Sequence, residues 1–251
     1  MTSRPEVAAR GAGHAAGHAA GHAADHAADH AADHATQARA PRPVTTRADP
    51  PAAPGGAQRA HAARHTPHRY PHATGRALFD SVLGPCGVAW NEHALTWILL
   101  PGRTRAATAA LLAEVSDGAP LAAPPWPAFV DDAVAGMQAL LAGGTADLRQ
   151  VPIELGGIAP FEREVYAATR RLAPGHTCTY GELARAIGHP HAARAVGAAL
   201  GRNPWPLVVP CHRVLGAGGR MVGFSAPGGV ATKRRLLEIE GAALQRPGEL
   251  F

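Results

Sequence analysis

Lysine is almost missing from this chain: Lys233 stands alone against 23 arginines, a bias that fits an arginine-rich, GC-rich coding sequence and points to no particular partner. Cysteine is scarce too. Cys86, Cys178 and Cys211, odd in number and widely spaced, make neither a disulfide framework nor a four-ligand zinc site, which leaves a reactive thiol as the open question. Long apolar runs are also missing. No stretch approaches the ~20 residues of a membrane span, and the N-terminus lacks the apolar centre of a secretory signal, so a cytoplasmic protein with no membrane partner is expected. Large aliphatic residues are nearly absent before Tyr70. Residues 1–75 hold ten of the fifteen histidines among Ala, Gly and Pro, and cannot bury enough apolar surface to offset their conformational entropy. They are expected to form a disordered tail.

The charge is uneven. Residues 76–160 carry 4 basic and 8 acidic side chains, whereas 161–241 carry 11 basic and 5 acidic, so the second half is the better candidate for contact with a polyanion. Within the tail, "GHAAGHAAGHAADHAADHAADHA" places His14, His18, His22, His26, His30 and His34 four residues apart. If helical, the tract stacks them on one face, where pairs could weakly bind Zn(II), Ni(II) or Cu(II); the other reading is a low-complexity expansion with incidental metal affinity.

Order is expected from about Arg76. "ALFDSVLGPCGVAWNEHALTWILLPG" has short apolar runs broken by Gly and Pro, the mark of two or three antiparallel strands. "TRAATAALLAEV" and "WPAFVDDAVAGMQALLAGG" have helical periodicity, and "RQVPIEL" reads as a further strand. Residues 76–156 therefore read as a small α+β domain, in which Cys86 is structural. From 157 to 251 the pattern is mostly helical. "APFEREVYAATRRLA" turns Phe161, Val165 and Ala168 one way and Glu162, Glu164, Arg170 and Arg171 mostly elsewhere. "CTYGELARAIG" opens on the capping box Thr179-Tyr180-Gly181-Glu182. "HPHAARAVGAALGRNP" reads as a helix with Pro190 in its first turn, and the pair suggests a helix-turn-helix. Its outer face, Arg194, Gly197, Ala198 and Gly201, is smooth with one charge. Such a face suits a nucleic-acid groove, packing against the protein's own first domain, or a merely Ala-rich composition.

"VVPCHRVLG" puts Cys211 directly before His212. A free thiol of pKa ~8.5 is only a few per cent ionised at neutral pH, so something must lower it. On an extended backbone neighbouring side chains face apart. Direct pairing then needs a turn or a bridging water, and a protonated His212 needs an acidic partner. Glu240, in the last turn of "GVATKRRLLEIEG", is one candidate. By position alone it is a solvent-exposed glutamate opposing its helix dipole.

"PCHRV", with "TYGELARAIGHPHAARAVGAALGRNPWPLVV" before it and "GFSAPGGVATKRRLLEIEGA" after it, closely resembles the O6-alkylguanine-DNA alkyltransferases, the methylated-DNA-protein cysteine methyltransferases. The likeness is specific over residues 160–241, looser over 79–155 and absent over 1–75. It implies a ribonuclease H-like N-terminal sheet domain and a C-terminal helix-turn-helix that docks double-stranded DNA bearing O6-alkylguanine through the minor groove. The damaged base flips into a pocket, and Cys211 takes its alkyl group once only. By matched position, the resemblance makes His212 act on Cys211 through water with Glu240 orienting it. Tyr180 moves the phosphate backbone and protonates the departing guanine, and Asn203 braces the turn. Arg194 replaces the flipped base, with Ala193, Ala195, Gly197 and Tyr180 on the DNA. Val214 and Ser225 read the guanine edge, and Pro206 and Lys233 belong to the substrate site. A monomer with no cofactor is expected; some relatives bind zinc in the first domain, but only Cys86 is available here, so no structural zinc is expected. The chain departs from the family at "GFSAPGG", where Phe224 stands for a tyrosine and Ala226-Pro227 are extra. Two other classes, a lesion-binding protein without transfer and a transcription regulator, share the helix-turn-helix; Cys211 argues against the first.

Overall fold

Alternation of side chains sets the first element: in strand β1 (Gly75–Ser81) Ala77 and Phe79 are buried while Arg76, Leu78 and Asp80 are more open. The computed structural model describes residues 73–242, all within one compact unit, Pro50–Phe251; the expected tail and its histidine tract lie outside the described residues. β1 pairs antiparallel with β2 (Gly84–Trp90), Phe79 opposite Cys86, and β2 pairs antiparallel with β3 (Leu95–Leu99), Val88 opposite Ile98. These are the expected strands. β2 and β3 lose the alternation because both faces of the sheet are covered, as continuous apolar runs require. Helix α1 (Arg105–Val115), capped by Thr104, lays Leu111 and Leu112 with Ala89, Trp97 and Leu99 on one face. Helix α2 (Ala128–Leu141) sends Val130, Ala133, Met137 and Leu140 into the larger core.

The second half adds α3 (Pro160–Arg170), α4 (Tyr180–Ala186), α5 (Ala193–Gly201) and α6 (Val230–Ile239). Val165 and Tyr166 of α3, Leu183 of α4, Val196 and Leu200 of α5 and Leu236 of α6 join the same hydrophobic cluster as Val88 and Ile98. One core thus runs under both halves. Two strands of two residues each, β4 (Cys178–Thr179) and β5 (Val214–Leu215), pair in parallel and were too short to leave a pattern in the sequence.

Four expectations change. "RQVPIEL" is not a strand: one parallel bridge joins Ile153 to Leu95, and Pro152, lacking an N–H, can contribute only its carbonyl to the Leu95 amide. α5 starts at Ala193 instead of Pro190, because the Ala192 N–H closes a turn onto the His189 carbonyl and leaves Pro190 inside that turn. Glu162 is buried and ion-paired with Arg202 of the segment after α5, although the helical pattern had turned it outwards. Cys211 does not sit on extended backbone: Cys211–Arg213 forms one turn of 3-10 helix.

Candidate functional site

Asn203 builds the turn that carries the cysteine. Its Oδ1 accepts from the Trp205 N–H at 3.0 Å, and its Nδ2 donates to the Val209 carbonyl at 2.8 Å. Between these ties Leu207 adopts φ +77°, a left-handed conformation that a branched side chain avoids, at a cost of about 1–3 kcal/mol. The sheet holds the turn from the other side: the Ile98 N–H donates to the Pro204 carbonyl at 2.9 Å, and the Trp205 indole N–H to the Leu95 carbonyl at 2.8 Å. Trp205 is fully buried, edge-on to Tyr166, whose hydroxyl donates to Ala199 of α5 at 3.1 Å. Sheet, α3, α5 and cysteine turn therefore share one rigid joint.

In the 3-10 turn successive side chains are about 120° apart, which places Cys211 and His212 in different surroundings without opposing them fully. Cys211 Sγ receives an N–H from Asn203 at 3.3 Å. His212 is fully buried, and its Nε2 lies 2.8 Å from Glu240 Oε1. Beside a carboxylate that nitrogen carries the proton, so Nδ1 holds the lone pair; Nδ1 is buried and has no protein partner.

Glu240 is the hub. Its side chain, only 2% exposed, accepts from His212, from Arg213 Nε at 2.9 Å and Nη2 at 2.7 Å, and from the Gly175 N–H at 3.3 Å. The exposed glutamate read from position alone is thus overturned by its partners. Arg213 adds a bond to the Leu172 carbonyl. Sequence reasoning had missed Arg213, and nothing local signals that this arginine is buried.

Burial pushes the Cys211 thiol above its ordinary pKa, against the opposing pull of the Asn203 N–H and the Lys233 charge. Burial also lowers His212, outweighing the Glu240 carboxylate, so the resting imidazole is neutral. Burial alone would raise Glu240, but the bonds from His212 and Arg213 prevail and hold it at about 2. Tyr180, partly buried beside Cys211, is pushed up to about 12, chiefly by desolvation, and keeps its proton. Cys86, buried beside Ser81, rises to about 11, in keeping with a structural thiol.

Cys211 opens onto a pocket of about 300 Å³ walled by Tyr180, Gly197, Leu200, Gly201, Phe224 and Ser225. A Cβ added at Gly197 would stand 3.7 Å from the Tyr180 ring, so the glycine opens the mouth of the pocket without being forced by contact. Of the residues singled out in the sequence, Cys211, Tyr180, Gly197 and Ser225 meet at this wall. Pro206, Val214 and Lys233 are buried and do not line the pocket; Lys233 Nζ donates to Val214 at 2.6 Å and Val222 at 3.3 Å, 5.8 Å from the Tyr180 ring centre. Arg194 and Ala195 are exposed on α5 and Ala193 is half-buried, on the surface beside the pocket mouth formed by Gly197 and Gly201 of the same helix. Among the described residues no cluster of His, Cys, Asp and Glu could hold a metal ion, and no helix is long and apolar enough to cross a membrane.

Residues 160–242 match the family described as "6-O-methylguanine DNA methyltransferase, DNA binding domain". The chain is 34% identical over 171 residues to the methylated-DNA–protein-cysteine methyltransferase of Methanosarcina acetivorans, covering 66% of this chain and 97% of that one. It is 48% identical over 103 residues to the protein of that name from Shigella flexneri, 41% of this chain and 58% of the relative, so the match spans under two thirds of that relative's length. Among solved structures, the Mycobacterium tuberculosis OGT in complex with DNA is similar at 34% identity and TM-score 0.52, over 66% of this chain and 92% of that one.

Proposed function

The chain belongs to the methylated-DNA–protein-cysteine methyltransferase family, and from that membership we propose that it is a direct-reversal DNA repair protein that moves the alkyl group of O6-alkylguanine onto its own Cys211 once. The observation that carries this reading is the buried Cys211 at the floor of a base-sized pocket, with the Asn203 N–H on its sulfur and the His212–Glu240 pair beside it.

The chemistry follows from these positions. A bridging water passes the Cys211 proton to His212 Nδ1, and the imidazolium so formed is stabilised by Glu240. The thiolate attacks the alkyl carbon; the S–C bond forms as the C–O6 bond breaks, with that electron pair leaving on guanine. The Tyr180 hydroxyl, kept protonated by burial, supplies a proton to the departing base. Nothing restores the thiol, so each molecule turns over once.

DNA is the partner, held by α4 and α5 acting as a helix-turn-helix in the minor groove, with Arg194 entering the base stack and Ala193, Ala195 and Gly197 allowing close approach. Ser225 and Val214 contact the guanine edge, Pro206 and Lys233 support the site, and Asn203 braces the cysteine turn. The division at 75 and 156, the ribonuclease H-like character of the sheet, a monomeric state, a cytoplasmic location and weak divalent-metal binding by His14–His34 belong to the same reading.

Duplex carrying labelled O6-methylguanine should transfer one label per protein, and Cys211→Ala should transfer none. Transfer by that variant would overturn the assignment. For the tract, calorimetry with Ni(II) should show binding by the full chain that is lost when residues 1–75 are removed.

A further inference from the structure

A second cleft of about 300 Å³ shares no wall residue with the Cys211 pocket. It lies between the 145–149 loop, the end of α3 and the Leu207–Pro210 turn. Four guanidiniums line it, Arg149, Arg170, Arg171 and Arg213, against one carboxylate, Asp147.

Two of the four are already neutralised. Asp147 grips Arg149 at 2.9 and 2.7 Å, and that contact holds the carboxylate down at about 2. Glu240 grips Arg213. The other two make no ion pair among the described residues, although Arg170 lies within the field of Asp147. Arg170 is half-buried and donates through Nη2 to the neutral carbonyls of Arg149 at 2.6 Å and Val151 at 2.7 Å, while its buried Nε–H has no protein partner. Arg171, next in the chain, is exposed and has no ion-pair partner among the described residues. Buried N–H groups are rarely left unpaired, and guanidiniums that line one concave wall without an ion-pair partner favour an anion between them. The rest of the wall is largely apolar, with Leu148, Leu172, Leu207 and Val208 in it, so the guanidiniums are its polar recognition groups; its one carboxylate is already engaged by Arg149.

We propose that this cleft binds a phosphate-class oxyanion, with Arg170 and Arg171 as its cationic wall and the Asp147-oriented Arg149 at its rim. Planar guanidiniums match the paired oxygens of such a group. The source is either a free phosphate or the backbone of a nucleic acid.

The test is calorimetry of the full chain with inorganic pyrophosphate at ionic strength matched with sodium chloride. Saturable binding at one site is expected, weakened about tenfold in Arg171→Gln and in Arg149→Gln, whose exposed side chains can change without unfolding the protein. Absence of saturable binding, or unchanged binding by both variants, overturns the proposal. Undamaged duplex is the second arm. Displacement of pyrophosphate by duplex, with a parallel loss of duplex affinity in Arg171→Gln, identifies a DNA phosphate as the occupant; binding of both together identifies a free anion. Alkyl transfer measured on the same samples keeps the two readings apart, because loss of transfer in the unchanged protein counts against the repair function and not against the cleft.

Discussion

Asn203 Nδ2 stands 3.3 Å from Cys211 Sγ while bonding the Val209 carbonyl, so one side chain both shapes the strained turn and hands an N–H to the nucleophile. Asn203→Asp separates these roles. It keeps the acceptor for Trp205 but removes the donor and brings negative charge towards the sulfur. Single-turnover transfer should slow by about tenfold or more, with iodoacetamide reactivity of Cys211 displaced to higher pH. A fold retained with an unchanged pH profile would refute the donor role.

Arg213 and Glu240 form a pair in which each charge is the other's compensation. Arg213→Ala or Glu240→Gln alone should cost about 3–5 kcal/mol, because each leaves a buried charge short of its partner. The double variant should cost less than the sum by about 2 kcal/mol. Urea denaturation of the four proteins measures this.

Acid should unfold the protein through two groups acting in the same direction. His212 is held below its ordinary pKa of 6.5, so below that pH the unfolded chain takes a proton that the native imidazole refuses, and stability falls. Glu240, ordinarily near 4.5 and held at about 2, contributes stability above 4.5 that is lost as the pH drops towards 2, by up to about 3 kcal/mol. Melting temperature against pH should decline from about 6.5 and steepen below 4.5. In Glu240→Gln the lower segment should flatten.

Gly197 separates stability from binding. Its added Cβ meets the Tyr180 ring at an ordinary contact distance, so Gly197→Ala should stabilise α5 by about 0.5–1 kcal/mol. If α5 meets DNA closely, the same methyl group should weaken duplex binding. Thermal melting and a binding titration on one sample show whether the two effects have opposite sign.

Local signals survived folding well. The Thr179–Glu182 capping box closes with Thr179 Oγ1 accepting the Glu182 N–H at 3.2 Å, and the three strands and the two helices after them stand where turn residues and periodicity put them. Smoothness of the outer face of α5 was also legible, since it depends only on residues one turn apart. What failed depended on partners far along the chain. Glu162 is buried because Arg202 lies forty positions away, and Glu240 because the Cys211–Arg213 turn delivers a neutral imidazole N–H and a guanidinium to it. The 3-10 turn was invisible for a similar reason: "VVPCHRV" reads as a strand until Asn203 and the sheet bend it. Cys211 and His212 were identifiable from the motif, yet their separate environments came from the fold.

Lys233, the sole lysine of the chain, is sealed inside with its ammonium spent on two carbonyls. The folded surface therefore offers no lysine amine to acylating reagents or lysine-specific proteases. Acylation at Lys233 becomes a clock for the opening of α6, with no second lysine to confuse the reading.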